Sequence, residues 1–171
     1  MIVKNKPHVI VLSVGGLRIA LDATALPSSL RRGILWDYSP FMLADADGSC
    51  HPANELNVDL IVHLAVADGP HFVDPTPGHS WHIETRYERG RLSYASYHEQ
   101  GWLDFAAHCG HLLLRRQAQP ENFLRVAFAH LALAHRGLLL HASGLLHHGR
   151  GYVFFGHSGA GKSTVASFAP T

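Results

Sequence analysis

The residues best equipped for chemistry form one stretch, Gly156-His157-Ser158-Gly159-Ala160-Gly161-Lys162-Ser163-Thr164. Its spacing is G-x-x-x-x-G-K-[ST], the phosphate-binding P-loop pattern. A polyphosphate carries charge that its site must neutralise. Glycines let successive backbone N–H groups point at the phosphate oxygens with no side chain in the way. A helix opening directly afterwards adds the positive end of its dipole. In such a cradle Gly156, Ser158, Gly159, Ala160 and Gly161 line the phosphates and Lys162 reaches the β- and γ-phosphates. Ser163 places its hydroxyl on Mg2+, and Thr164 bonds an α-phosphate oxygen.

The flanking residues suit that role. Gly151-Tyr152-Val153-Phe154-Phe155 reads as the strand entering the loop, and Thr164-Val165-Ala166-Ser167-Phe168 can form the helix leaving it. Pro170 breaks that helix after about two turns. Further upstream, Pro120-Glu121-Asn122 suits a first helical turn. Phe123, Leu124, Ala127, Phe128, Leu131 and Ala134 recur at three- and four-residue steps, which predicts a helix with a wide apolar face ending at Gly137. Leu138–His141 and Ser143–His147 read as strand, and His148-Gly149-Arg150-Gly151 as a turn.

The first 117 residues have a different texture. His8–Val14 and Leu17–Leu21 read as strands joined at Gly15-Gly16, a hairpin signal. Pro27–Leu35 reads as a short helix, Tyr38–Asn54 as loop, and Asn57–Ala67 as a strand closed by Asp68-Gly69-Pro70. Thr76-Pro77-Gly78 marks a further loop. A meander follows, with strands at Trp81–Tyr87, Leu92–Tyr97, Trp102–Ala107 and His111–Arg115 and turns at Glu88–Arg91 and Gln100-Gly101. Short strands at this spacing predict an antiparallel sheet. The expected class is α+β. A β-rich antiparallel domain over 1–117 is packed with a helix and the first strands of a P-loop core over 118–171.

Composition limits the function further. The chain has 171 residues, enough for one domain or two small ones, and 47% of them are hydrophobic, enough for a real core. A formal charge of +1 gives no electrostatic case for nucleic acid or an anionic membrane. No apolar run is long enough to span a bilayer, and the N-terminus reads as lacking a signal peptide. Cys50 and Cys109, far apart and outside any CxxC, read as reduced cytosolic thiols. The 15 histidines are scattered. His79 with His82, or His108 with His111, would be pairs, whereas a transition-metal site needs three or four convergent ligands.

Residues 121–168 resemble the HPr kinase/phosphorylase family, and more closely the HPr-kinase-like proteins found beside peptide-modification genes. The resembling text is Glu121-Asn122-Phe123-Leu124-Arg125-Val126, Leu138-Leu139-Leu140-His141-Ala142-Ser143-Gly144, Gly149-Arg150-Gly151-Tyr152-Val153-Phe154-Phe155-Gly156 and Ser158–Thr164. The resemblance implies a cytoplasmic, ATP- and Mg2+-dependent protein serine kinase with a core related to phosphoenolpyruvate carboxykinase. It implies a phosphocarrier protein or a precursor peptide as acceptor, and it is compatible with an oligomer. His141 matches the family histidine that organises the catalytic carboxylates. Those carboxylates, paired aspartates on a later strand, have no counterpart here: no Asp or Glu follows Glu121, and seven residues follow Thr164.

The expectation is therefore a C-terminally truncated HPr-kinase-like protein that binds nucleotide and catalyses little alone. A second expectation, of another class, is a non-catalytic module whose β-rich part holds a peptide or protein by strand addition, with a vestigial P-loop. A histidine-based metalloprotein is a third and a carboxykinase-like enzyme a fourth, although no substrate-binding arginine motif of that family can be placed.

Overall fold

The computed structural model describes residues 2–3, 8–43, 56–79 and 81–168. The chain divides into two compact units, 1–131 and 132–171. The sequence reading put the division at 117/118. The difference arises at the helix that follows, most of which packs into the first unit.

The first unit is α+β and built on a seven-stranded mixed sheet. Its strands are β2 (Val9–Val14), β3 (Leu17–Asp22), β5 (Leu60–Val66), β6 (Ile83–Glu88), β7 (Arg91–Ser96), β8 (Glu99–Asp104) and β9 (Cys109–Leu114). Their spatial order is β2-β3-β5-β9-β8-β7-β6. A separate two-residue pair joins β1 (Ile2–Val3) to β4 (Leu56–Asn57). Helix α1 (Ser28–Asp37) lies between β3 and β4 in the chain, and a single 3-10 turn at Ser39–Phe41 follows it. Residues 44–54 of the expected loop, Cys50 among them, lie outside the described residues.

The β2–β3 hairpin forms as its sequence predicts. Gly15 and Gly16 take φ of 59° and 85°, the doubly left-handed turn whose twist matches the strands it joins. The meander β6–β9 is antiparallel throughout. The centre of the sheet is not: β5 runs parallel to both β3 and β9. The expected all-antiparallel sheet is thus corrected to a mostly antiparallel mixed one. Parallel neighbours need a long crossover, and the stretch holding α1 supplies one between β3 and β5.

A second correction concerns Gly101. It was expected in a turn and lies within β8, while the turn falls at Tyr97-His98. The reason is packing. A side chain on Gly101 would collide with the His111 carbonyl and meet the Phe123 ring at 3.1 Å. The bare backbone there lets helix α2 (Glu121–Ala134) settle onto the sheet. Phe123, Leu124, Ala127, Phe128 and Leu131 of α2 enter one core with Leu12, Ile19, Leu21, Leu60, Leu103 and Leu112. Phe123 is fully buried and meets Tyr94 edge-on, with ring centroids 5.4 Å apart. Leu124 N–H donates to the Pro120 carbonyl at 2.9 Å. The helix stops where Arg136 turns left-handed at φ 58° and Gly137 N–H returns to the Ala132 carbonyl.

Beneath the first turn of α2 lies a buried acid. Glu99, 2% exposed, accepts from the Tyr94 hydroxyl at 2.6 Å, from Ser96 Oγ at 3.2 Å and from Phe123 N–H at 3.5 Å. Its carboxylate thereby occupies one of the N–H groups that a helix start leaves unpaired. Burial pushes the Glu99 carboxyl up from its ordinary 4.5, while the donors from Tyr94, Phe123 and Ser96 pull the other way. Burial and the neighbouring Glu99 carboxylate also raise the Tyr94 hydroxyl, so it stays protonated and donates.

The second unit contains β10 (Ala142–His147) and β11 (Arg150–Phe155), a two-stranded antiparallel hairpin, and helix α3 (Lys162–Ser167). Leu138–His141, expected as strand, is irregular. The hairpin turn is His148-Gly149, with Arg150 and Gly151 already in β11. No described residue from 133 to 168 is buried. No helix among the described residues is long and apolar enough to cross a membrane.

Two predictions follow from the core. Phe123→Ala should destabilise the first unit by about 3–5 kcal/mol, the usual loss for a buried Phe, as read by urea denaturation. Glu99 has a folded pKa above its unfolded one, so the folded state binds the extra proton. Its contribution to stability is present below about pH 4.5 and declines as pH rises through the folded pKa. Glu99→Gln should flatten that decline, whereas Glu99→Ala strands three donors and should cost about 1–3 kcal/mol at every pH. Parallel pH profiles for wild type and Glu99→Gln would show that the carboxyl does not titrate with folding.

Candidate functional site

The P-loop sequence does form a strand–loop–helix in the second unit. β11 ends at Phe155, residues 156–161 make the loop, and Lys162 starts α3. Two glycines are required by backbone conformation: Gly159 sits at φ 82° and Gly161 at φ 79°, a region costly for any residue with a Cβ. Gly161 is also the N-cap of α3 and offers no side-chain cap. No atom lies within 4 Å of where a Cβ on Gly159 or Gly161 would stand. The glycines there serve the turn and leave open space above it.

The loop is tied to itself. Ala160 N–H donates to the His157 carbonyl at 3.2 Å, and Val165 N–H to the Gly161 carbonyl at 2.9 Å. His157 Nδ1 stands 2.8 Å from the Ser158 carbonyl oxygen. The Lys162 ammonium donates to the carbonyls of Gly156 and His157, both at 3.0 Å. It therefore curls back over the loop it would use to hold phosphate. Both acceptors are neutral carbonyls at an exposed site, and an anionic phosphate oxygen offers the same ammonium an ion pair in addition to the hydrogen bond.

The other expected residues are placed as follows. Ser158, Ser163 and Thr164 are exposed, with Ser163 and Thr164 in the first turn of α3, where N–H groups have no intrahelical acceptor. His141 is exposed and stands one residue before β10. Its neighbour Ala142 pairs with Phe155, so the hairpin register brings His141 to the end at which β11 enters the loop. His141, Gly156, Lys162 and Ser163 thus belong to one end of one small unit.

The residues present fit a phosphate better than a complete magnesium site. Backbone N–H groups and Lys162 suit an anion. A hard dication wants several oxygen ligands, commonly including carboxylates. Ser163 supplies one hydroxyl, and residues 122–171 contain no Asp or Glu. Among the described residues no group of three or more His, Cys, Asp or Glu side chains could hold a metal. Cys109 is a free thiol.

The first unit carries features that its sequence did not announce. The sheet face opposite the helices bears a concavity of about 700 Å3, lined among others by Arg86, Arg91, Ser93, Gln100, Trp102 and His111. There the Arg91 guanidinium lies 4.0 Å over the Trp102 ring. The strand registers set Asp22, His63, His111, Trp102, Ser93 and Arg86 side by side across six strands, and His63 Nδ1 stands 3.3 Å from Asp22 Oδ2. A smaller concavity, about 320 Å3, has Trp81, His82, Tyr97, Glu99 and Asn122 in its wall. Alternation in the strands places these residues on faces, but only the register aligns them.

No family model, no curated protein and no solved structure matches this chain.

Lys162→Ala should weaken binding of inorganic pyrophosphate at least about tenfold, the loss expected for one charge-assisted contact. It should leave the unfolding transition of the first unit where it is. Calorimetric titration and a denaturation curve on the same sample read both quantities.

Proposed function

We propose that this chain is a nucleotide-binding protein of the HPr-kinase-like type, whose loop Gly156–Thr164 takes the phosphates of ATP. One observation supports the reading above the others. Gly159 and Gly161 both adopt the left-handed turn, and Lys162 is folded over the same loop. Lys162 there ties the loop through two carbonyls and is at the same time the cation that a phosphate held by that loop would meet. His141 at the same end of the hairpin agrees with the resemblance to that family.

Within the proposal, backbone N–H groups of the loop bind and orient the phosphates. Lys162 leaves the Gly156 and His157 carbonyls to neutralise them, and Ser163 would hold Mg2+ through its hydroxyl. A bound Mg2+ would supply charge neutralisation to the phosphates. An acceptor hydroxyl must also lose a proton to a base. His141 and His157 are the imidazoles of this end that can hold one, and no carboxylate from residues 122–171 stands beside them to orient a ring. The ancestral activity in this reading is phosphoryl transfer to a serine of a carrier protein or precursor peptide in the cytoplasm.

A second reading, a peptide-binding module with a vestigial loop, is favoured by the sheet edge at β6, which among the described residues pairs with no strand but β7. Nucleotide separates the two. ATP with Mg2+ at a hundred times its Kd should raise stability by about 2.7 kcal/mol, and Lys162→Ala should abolish the rise. No stabilisation at millimolar ATP would reduce the loop to a relic. Phosphoryl transfer or ATPase turnover lost in Lys162→Ala would extend the reading from nucleotide binding to catalysis.

A further inference from the structure

The edge strand β6 carries a pattern that neither the core nor the phosphate loop explains. It ends the seven-stranded order and, among the described residues, pairs on one side only, with β7. Half of its backbone N–H and C=O row therefore points away from the sheet, a ready template for another strand. From Glu84 the strand reads Glu84-Thr85-Arg86-Tyr87-Glu88. Alternate residues share a face, so Glu84, Arg86 and Glu88 line the face opposite the helices with signs minus, plus, minus. Their side chains are 61%, 77% and 61% exposed.

The other face of β6 is anchored. Ile83 packs against the core, and Tyr87 stacks on His130 of α2 with ring centroids 6.3 Å apart. The strand thus touches the core and α2 through that face, while its charged face is exposed. Arg86 contacts Glu88 at 2.7 Å and Glu84 contacts His82 at 3.1 Å. Both contacts are between exposed side chains, which contribute little and exchange readily. The 700 Å3 concavity begins at Glu84, Thr85 and Arg86 and continues to Arg91 and Trp102. Among the described residues Arg91 has no carboxylate partner, only the Trp102 ring.

Resting on the peptide-binding reading, we infer that β6 is a docking edge for an extended peptide with a basic, an acidic and a basic side chain at alternate positions. A strand added beside β6 would place its side chains about 4.8 Å from those of Glu84, Arg86 and Glu88. Opposite charges directly across such a pair attract and like charges repel. The pattern is symmetric, so it admits the peptide in either direction. Main-chain hydrogen bonds hold the segment and the charge triplet selects it.

The test uses two labelled heptapeptides, Thr-Lys-Val-Glu-Val-Lys-Thr and its sign-inverted form Thr-Glu-Val-Lys-Val-Glu-Thr, in fluorescence anisotropy against the full chain at low salt. The first should bind at least about tenfold more tightly than the second, from three matched against three mismatched pairs. The variant Glu84→Lys, Arg86→Glu, Glu88→Lys should invert that preference. Arg86→Glu alone should cut the preference from about tenfold to about twofold, because two of three pairs then match for the first peptide and one of three for the second, which keeps the test open should the triple variant fail to fold. Equal binding of both peptides, binding of neither, or no inversion in a folded triple variant overturns the inference. So does a dimer of the chain, seen by sedimentation, that the peptide cannot displace, because the edge then belongs to a second copy. Lys162→Ala should keep the preference, so a failed nucleotide site and a failed peptide edge give different results.

Discussion

The first unit depends on one close approach. Phe123 lies against the sheet because Gly101 has no side chain, and the contact leaves no room for one. From that seat follow the depth of α2, the edge-on contact of Phe123 with Tyr94, and the placement of Glu99 under the start of the helix. A carboxyl two residues before Gly101 shares its face of β8. It can be buried there because Tyr94, Ser96 and the Phe123 N–H all donate to it. The cost of burying the acid is offset by hydrogen bonds that fix the helix start over the strand.

The same arrangement leaves the opposite face of the meander free. One face of β6–β9 is consumed by the core, so Arg86, Ser93, Trp102 and His111 all turn outward. Near β2 and β3 the outward face has its own small cluster, with Val11, Ala20 and Val58 buried together. Toward β6 it is a concave surface of charged and aromatic groups. A sheet covered on one side only is the setting in which an edge strand and an open face become usable for binding.

The second unit obeys another logic. It buries no described side chain beyond Ala132, and a two-stranded hairpin has little stability of its own. Leu146, Val153 and Phe155 are well over half exposed. What is defined there is local: the turns at Gly159 and Gly161, the hairpin register that sets His141 beside the loop entrance, and the lysine bonded to the loop carbonyls. Phosphate recognition by backbone N–H groups needs only such local geometry. Phosphoryl transfer asks for more, a base and further charged groups held in place by a packed core.

Short-range physics made much of this chain legible in advance. Gly15-Gly16 dictated a hairpin because both turn residues must be left-handed. The three- and four-residue spacing of apolar residues after Pro120 dictated α2 and its buried face. The glycine and lysine spacing of 156–164 dictated the strand–loop–helix. Tertiary packing decided the rest. Gln100-Gly101 has the composition of a turn, yet Phe123, far along the chain, needed a strand glycine beneath it. The parallel setting of β5 against β3 and β9, the burial of Glu99, the cross-sheet row from Asp22 to Arg86 and the division within α2 all depend on which distant segments meet. Turns and helix faces are fixed by residues within a few positions of one another. Register and burial are fixed by partners tens of residues away, and a sequence does not name those partners.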